Sequence, residues 1–327
     1  AWQEIKRNNK VFLSNYIKNK MGVLVNPDSV FDVHIKRIHE YKRQLLFCFY
    51  ILSEYMKIKN NSAKNVQPRT FIIAGKAAPG YYMAKLIIRF VNSVASVINN
   101  DPIAGKILKV IFLENYGVSL AENIFPASDL SEQISTAGTE ASGTGCMKFM
   151  LNGALTIGTH DGANLEMMRE VGDENMYLFG HKEDEIQNLR NSGYNPMDYI
   201  SKSSDLSQIL EMMKNNFFSP HEHGLFNAII DHLMLEDTYF VAADYEAYRL
   251  TQNNVSELFK KKNDWTKKSI YNVARSGKFS SDRTIKQYAD EIWKVHSYTK
   301  IPDFILTPAN QRNKVYRLRF DSRVLTT

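Results

Sequence analysis

Ser142-Gly-Thr-Gly145 is followed by a stretch that reads as helix from Met147 to Leu151, with Lys148 one turn inside it. Glycines let the backbone come close to a ligand. A helix N-terminus offers free N–H groups and a partial positive charge, so the arrangement suits a phosphate, and Thr144 adds a hydroxyl donor. A lysine that is partly desolvated among cations gives up its proton readily and can form a Schiff base. The same residues also make a tight turn with a solvated lysine, and this segment alone does not choose between the two.

A second cluster, Lys36-Arg-Ile-His-Glu-Tyr-Lys-Arg43, directly follows a β-rich run. Lys36, Arg37, Lys42 and Arg43 at a strand-to-helix turn can bind one or two phosphates, Arg as a bidentate fork and Lys as a mobile point charge. The competing account, a solvated basic helix start, is electrostatically unfavourable because cations are stabilised at helix C-termini. A third segment, Gly75-Lys-Ala-Ala-Pro-Gly80, matches neither the dinucleotide nor the phosphate-loop fingerprint and reads alone as a tight turn. Glu140, His160 and Asp161 are isolated acid–base candidates, each of a type also common in capped turns and on surfaces.

Such loops need a scaffold. Residues 1–20 read as a helix with an apolar face, and Pro27-Asp28 marks a break. Short apolar or alternating runs at Val30–Ile35, Thr70–Ala74, Lys109–Leu113, Ala154–Ile157 and Met176–Phe179 read as strands. Glu40–Ile58 and Tyr81–Ile98 read as helices, with Asn60-Asn61-Ser62 as a loop. Strands alternating with amphipathic helices imply βαβ units, hence an α/β, doubly wound parallel sheet. After Gly193 the pattern becomes helical, at 206–213, 226–235, 245–262, 265–275 and 284–295, with Ser280-Ser281-Asp282 as an N-cap cluster for the last. Pro302, Pro308 and the basic stretch Arg312–Arg323 suggest a peripheral tail.

The bulk properties exclude more than they select. The 327 residues are 44% hydrophobic and 23% charged, an ordinary globular balance. No apolar run approaches the roughly 20 residues that span a bilayer, and no signal peptide is visible. The net charge of +6 is spread along the chain rather than gathered into a stripe, which argues against nucleic acid. Cys48 and Cys146 fit a reducing compartment, hence a cytoplasmic protein, and neither has metal-ligand spacing.

Taken together, the motifs resemble the glycogen/starch/maltodextrin (α-1,4-glucan) phosphorylases, C-terminal half. The resemblance rests on Glu132 to Thr159, Lys36 to Leu45, Gly75 to Tyr81, Asp161-Gly-Ala-Asn-Leu-Glu166 and Ser276 to Arg283. It implies a Rossmann-like fold, the C-terminal domain of a two-domain GT-B glycosyltransferase. Residues 1–20 would be a helix from the preceding domain, 21–296 the pyridoxal-phosphate-binding domain and 297–327 a peripheral tail. It implies that Lys148 forms the Schiff base with pyridoxal 5'-phosphate, and that Lys36, Tyr116, Gly143, Thr144 and Gly145 cradle the cofactor's phosphate. Arg37 and Lys42 would hold inorganic phosphate; Glu140, Ser142, Gly143 and Tyr41 would contact the glucosyl unit. The cofactor's phosphate would pass a proton to substrate phosphate, which protonates the departing glycosidic oxygen and captures the glucosyl unit as glucose 1-phosphate with retained configuration. Retaining glycosidases use a carboxylate pair instead. The partners implied are glucan, inorganic phosphate, glucose 1-phosphate, an N-terminal domain and a second subunit in an allosteric homodimer; no metal, membrane or nucleic acid is implied.

Cys146, Gly117 and His160 stand where the family commonly has Asn, Arg and an apolar residue. Members of the family are more than twice this long, and their N-terminal half supplies the other wall of the site. A sugar-nucleotide glycosyltransferase and a non-catalytic fragment that binds glucan or another subunit are the competing readings. The isolated chain is expected to show no useful phosphorolysis. Release of glucose 1-phosphate from glycogen by this chain alone, at a rate near that of a complete enzyme, would contradict this.

Overall fold

The computed structural model describes residues 1–62 and 66–295. One compact unit runs from Ala1 to Phe279 and a second begins at Ser280. The tail expected over 297–327 lies outside the described residues.

In the first unit, β1 (Val30–Ile35), β2 (Arg69–Ala74), β3 (Leu108–Leu113), β4 (Leu130–Gln133), β5 (Leu155–Gly158) and β6 (Tyr177–Leu178) pair in the order β3-β2-β1-β4-β5-β6, every pair parallel. This is the doubly wound arrangement expected. The winding reverses between β1 and β4, which leaves a crevice at the carboxyl ends of those two strands. The helices are α1 (Trp2–Met21), α2 (Gln44–Lys57), α3 (Tyr82–Asn100), α4 (Val118–Ala127), α5 (Gly145–Leu151), α6 (Asn164–Val171), α7 (Glu183–Asn191), α8 (Met197–Ile200), α9 (Ser204–Lys214), α10 (Asn227–Leu235), α11 (Val241–Lys260) and α12 (Lys262–Ala274).

Two apolar layers sandwich the sheet. Phe31, Val33 and Ile35 of β1 point to one side, where α1, α4 and α5 supply Leu13, Ile124 and Phe149. Val30 points to the other, where α2, α3 and α9–α11 pack. Helix α2 is buried on almost every side, as its apolar run from Leu45 to Leu52 requires. Each fully buried Phe or Leu contributes roughly 1.5–3 kcal/mol.

Several boundaries differ from the sequence expectation. The segment read as one helix from Glu40 to Ile58 begins as a 3-10 turn, Glu40–Lys42; Arg43 then adopts a left-handed conformation (φ 56°), and only after it does α2 start. Lys36, Arg37 and Lys42 therefore lie ahead of α2 rather than in its first turn, and Arg43 stands at its N-cap. Asn60 to Ser62 belongs to a π-helical turn, Ile58–Ser62. Strand β4 escapes a search for apolar runs because Ser131, Glu132 and Gln133 are polar, yet all three are buried. β6 is only two residues long, and α4, α6 and α7 were not anticipated. In the second unit, α13 (Ser281–Gln287) passes into a π-helical turn, Tyr288–Trp293; Ser280 stands at its N-cap without a side-chain cap bond.

The polar residues of β4 join a buried network. Arg69 donates to Asp32 (2.8 Å), Gln252 (2.6 Å) and Ser256 (2.7 Å), while Glu132 accepts from Tyr248 (2.8 Å) and Gln252 (2.7 Å). Burial raises both acids; Glu132, also next to the Asp32 charge, is driven well above the carboxylate range. The Arg69 charge opposes the rise in both acids. Removing one partner of a buried pair leaves the other uncompensated, so Arg69→Met is expected to lower the unfolding free energy by about 3–5 kcal/mol. Urea denaturation at neutral pH measures this; a loss below about 1 kcal/mol would contradict the assignment.

Candidate active site

The crevice at the switch point is a cleft of about 380 Å³. Strand β1 ends at Ile35 and delivers Lys36 and Arg37 to it; the 3-10 turn delivers Tyr41 and Lys42. The loop after β4 brings Glu140, Gly143 and Thr144, and α5 brings Gly145 and Lys148. Tyr116, in the loop just before α4, closes one side with Phe125. Of the cofactor- and substrate-binding residues that the resemblance implies, only Ser142 falls outside the lining, its carbonyl accepting from the Ala163 N–H (2.9 Å); the other candidates, Arg43, His160 and Asp161, lie outside it as well.

The electrostatic centre is a triad. Lys42 Nζ donates to Glu140 Oε2, and Lys36 Nζ lies 3.5 Å from the same oxygen. All three side chains are largely buried. Burial pushes Lys36 below its ordinary value, Glu140 opposing and Lys42 reinforcing the shift. Burial acts to raise Glu140, but the Lys42 hydrogen bond and the charges of both lysines hold it below the ordinary carboxylate range. One carboxylate therefore serves two ammonium groups, and the site has room for a further anion. Arg37, exposed, projects into this cleft and into an adjoining one of about 500 Å³ that Lys76 and Glu122 also line.

Local geometry explains the glycines. Gly143 has φ +83°, and a Cβ there would lie 3.8 Å from Lys36 Nζ and from Cys146 Sγ. A Cβ on Gly145 would meet nothing within 4 Å, which leaves the start of α5 open. The first N–H groups of α5 have no intrahelical acceptor and point out of that end. Gly75 turns out to be a packing requirement: a Cβ there would sit 1.9 Å from the Lys36 carbonyl oxygen. The segment that read as a plain turn thus lets the chain pass behind Lys36.

Two expectations change. Lys148 is exposed and opens into both clefts, so this chain's residues do not supply the desolvation expected around it. Asp161 is buried outside the cleft, its oxygens occupied by Ser135, Gly138 and Glu140, so it does not act there as an acid or base. Cys146 is buried with its thiol 3.4 Å from the Gly143 carbonyl; burial raises it, Lys36 opposing, so it is a neutral thiol. Sequence reasoning missed Lys76, Glu122 and Phe125, and also His34, whose buried ring has no hydrogen-bond partner. Burial, then Lys36 and Lys42, hold His34 well below its ordinary value, so it is a neutral ring near both lysines. Position two before Lys36 on β1 was the one available signal.

The family model for carbohydrate phosphorylases matches residues 1–295. The chain belongs to this family. It is 54% identical over 292 residues to the muscle form of glycogen phosphorylase from Mus musculus and 55% identical over 292 residues to the human brain form, covering 89% of this chain in both cases. It is 52% identical over 312 residues to the human liver form, 95% of this chain. These matches cover 35–36% of the relatives, so the chain spans about a third of their length. Among the described residues no helix is long and apolar enough to cross a membrane, and no group of three or more His, Cys, Asp or Glu side chains is arranged to hold a metal ion.

In this phosphorylase chain the cationic turn is fastened from behind by Arg43. Its guanidinium donates to the Ile134 carbonyl (2.7 Å) and to Asp244 (2.7 Å), both groups fully buried, which ties the turn to the β4 exit and to α11. The other Asp244 oxygen meets His181 Nδ1 at 2.7 Å. That hydrogen bond raises His181 above its ordinary value against the cost of burial. A raised folded-state pKa means the stabilisation is fully present below about pH 6.5 and is lost as pH rises through the folded value. His181→Asn is therefore expected to cost on the order of 1 kcal/mol near pH 6 and less near pH 8.5. Paired urea titrations at the two pH values test this; an equal cost at both would contradict it.

Proposed function

We propose that this chain is the pyridoxal-phosphate-bearing part of an α-1,4-glucan phosphorylase, which converts terminal α-1,4-linked glucose and inorganic phosphate to glucose 1-phosphate. The observation that carries this is the meeting of Lys148, Lys36, Lys42, Arg37 and the open end of α5 in one cleft. The cofactor is an aldehyde with a phosphate. The lining offers an amine on Lys148, and an anion cradle from Lys36, the Thr144 hydroxyl and the first N–H groups of α5. Tyr116, half-buried with its phenol raised by burial, adds a neutral donor beside them. The donor set therefore suits the group.

When bound, the cofactor supplies a phosphate that exchanges a proton with the substrate phosphate. The chain's own residues do the rest. Arg37 and Lys42 hold inorganic phosphate beside the cradle. Two anions side by side repel strongly, and preorganised cations offset that where water is scarce. Glu140 and Tyr41 orient the glucosyl unit, with Ser142 and Gly143 forming the loop edge next to it. Since Glu140 already accepts from Lys42, an arriving anion must share or displace that contact. The glucan, as glycogen, starch or maltodextrin, and the remaining wall of the site would be bound by the rest of the protein. Both cysteines are free and buried, which fits a reducing cytoplasm. The homodimer and its allosteric control rest on the resemblance.

The decisive experiment is incubation with pyridoxal phosphate, borohydride reduction, and intact-mass and peptide mapping. One pyridoxyl adduct at Lys148 is expected, and Lys148→Arg abolishes it. No adduct, or one spread over surface lysines, would overturn the reading.

A further inference from the structure

The loop that carries Glu140 leaves β4 at Gln133 and enters α5 only at Gly145, with no regular structure between. A carboxylate shared by two lysines needs a fixed backbone, and helix or strand pairing does not supply one here. The buried Asp161 carboxylate does. Its Oδ1 accepts from the Gly138 N–H (3.0 Å), and its Oδ2 accepts from the Glu140 N–H (2.9 Å) and the Ser135 hydroxyl (2.7 Å). An ionised carboxylate only accepts, so it can gather three donors from one loop, each bond strengthened by its charge.

The neighbours of Asp161 complete the bracket. Gly162 has φ +51°, and a Cβ there would come within 2.6 Å of the Ser142 carbonyl and 3.1 Å of the Glu140 carbonyl. Ala163 N–H donates to the Ser142 carbonyl (2.9 Å). Asn164 Nδ2 donates to the carbonyls of Gln133 and Thr159, each at 3.0 Å, which anchors the turn to the ends of β4 and β5. Glu140 is thus held at its own N–H and braced just beyond its carbonyl.

We infer that Asp161 is a positioning residue: it sets the backbone of Glu140, and through it the sharing of one carboxylate between Lys36 and Lys42. This rests on the reading of the cleft as a phosphate and glucosyl site. Asn at 161 keeps the shape but replaces one acceptor oxygen by a donor, which cannot accept from both Glu140 and Gly138. The Glu140 backbone then loosens and its carboxylate competes less for the lysines.

The test is made on the full chain, with inorganic phosphate and glucose as separate probes by ligand-observed NMR, and with the Glu140 amide followed without ligand. In Asp161→Asn the Glu140 amide resonance is expected to shift upfield as its carboxylate acceptor is lost. Inorganic phosphate is expected to bind about threefold tighter and glucose about tenfold weaker. Both ligand effects should vanish in a Glu140→Gln background, because Asp161 acts through Glu140. Ser135→Ala removes one donor, leaves the carboxylate in place and gives the same signed pattern at smaller size; it answers the question if Asp161→Asn does not fold. An unmoved amide, a joint weakening of both ligands in the variants that fold, or effects that add to those of Glu140→Gln would overturn the inference. A wild-type chain that binds no phosphate and forms no adduct at Lys148 would sink the reading of the cleft itself. Wild-type binding with an unchanged Asp161→Asn would sink only the role of Asp161.

Discussion

Lys36 and Lys42 are like charges brought together in a largely buried crevice, and the carboxylate of Glu140 between them is what makes that tolerable. The requirement reaches far into the fold. The two lysines arrive from the end of β1 and from a 3-10 turn; the carboxylate arrives from the other side of the switch point, on the loop after β4. A sheet wound in one direction only would offer no such crevice. Arg43 fastens the turn and Asp161 fastens the loop, each from outside the cleft. Glu140 already occupies both lysines before any ligand enters, so anion binding there is an exchange of partners as much as a capture.

The sheet beneath is built unusually for a parallel β-core. Asp32, Arg69 and Glu132 lie on central strands, and Gln252 and Tyr248 of α11 reach down to them. These groups bond to one another at the interior face, where a purely apolar layer would also pack, although Asp32 Oδ1 has no hydrogen-bond partner. Such a network is costly to leave incomplete, and it fixes the seat of α11 relative to β1, β2 and β4. Helix α11 in turn carries Asp244, the anchor of Arg43. The polar core and the cleft are therefore linked through one helix.

Much of this was legible in the sequence. Thr70–Ala74 and Lys109–Leu113 are apolar runs and Val30–Ile35 alternates, enough to declare strands, and the lysine and glycine motifs lie where those strands or their neighbours end. The residues of the cleft came from the resemblance, and the structure gathers all of them but Ser142 around one space. What was not legible has a physical cause in each case. Strand β4 hides because a buried strand that feeds a polar network carries polar residues. Arg43 looks like a fourth phosphate-binding cation, yet it is wholly buried and spent on carbonyls and Asp244. Asp161 looks like an acid–base group, yet its role is set by donors some twenty positions upstream, which no local pattern reveals. The exposure of Lys148 depends on which surfaces face it, and that is a tertiary property.

The close approach at Gly75 has a further meaning. With a Cβ position only 1.9 Å from the Lys36 carbonyl oxygen, the two chain segments are in direct main-chain contact as they leave β2 and β1. The Lys36 main chain cannot move outward without carrying the Gly75 loop with it, and that loop holds Lys76 on the rim of the adjoining cleft. Two cations on separate loops are in this way mechanically coupled through backbone rather than through charge. A ligand that pushes the Lys36 main chain outward would be felt at Lys76 even in high salt, where electrostatic communication between them is screened.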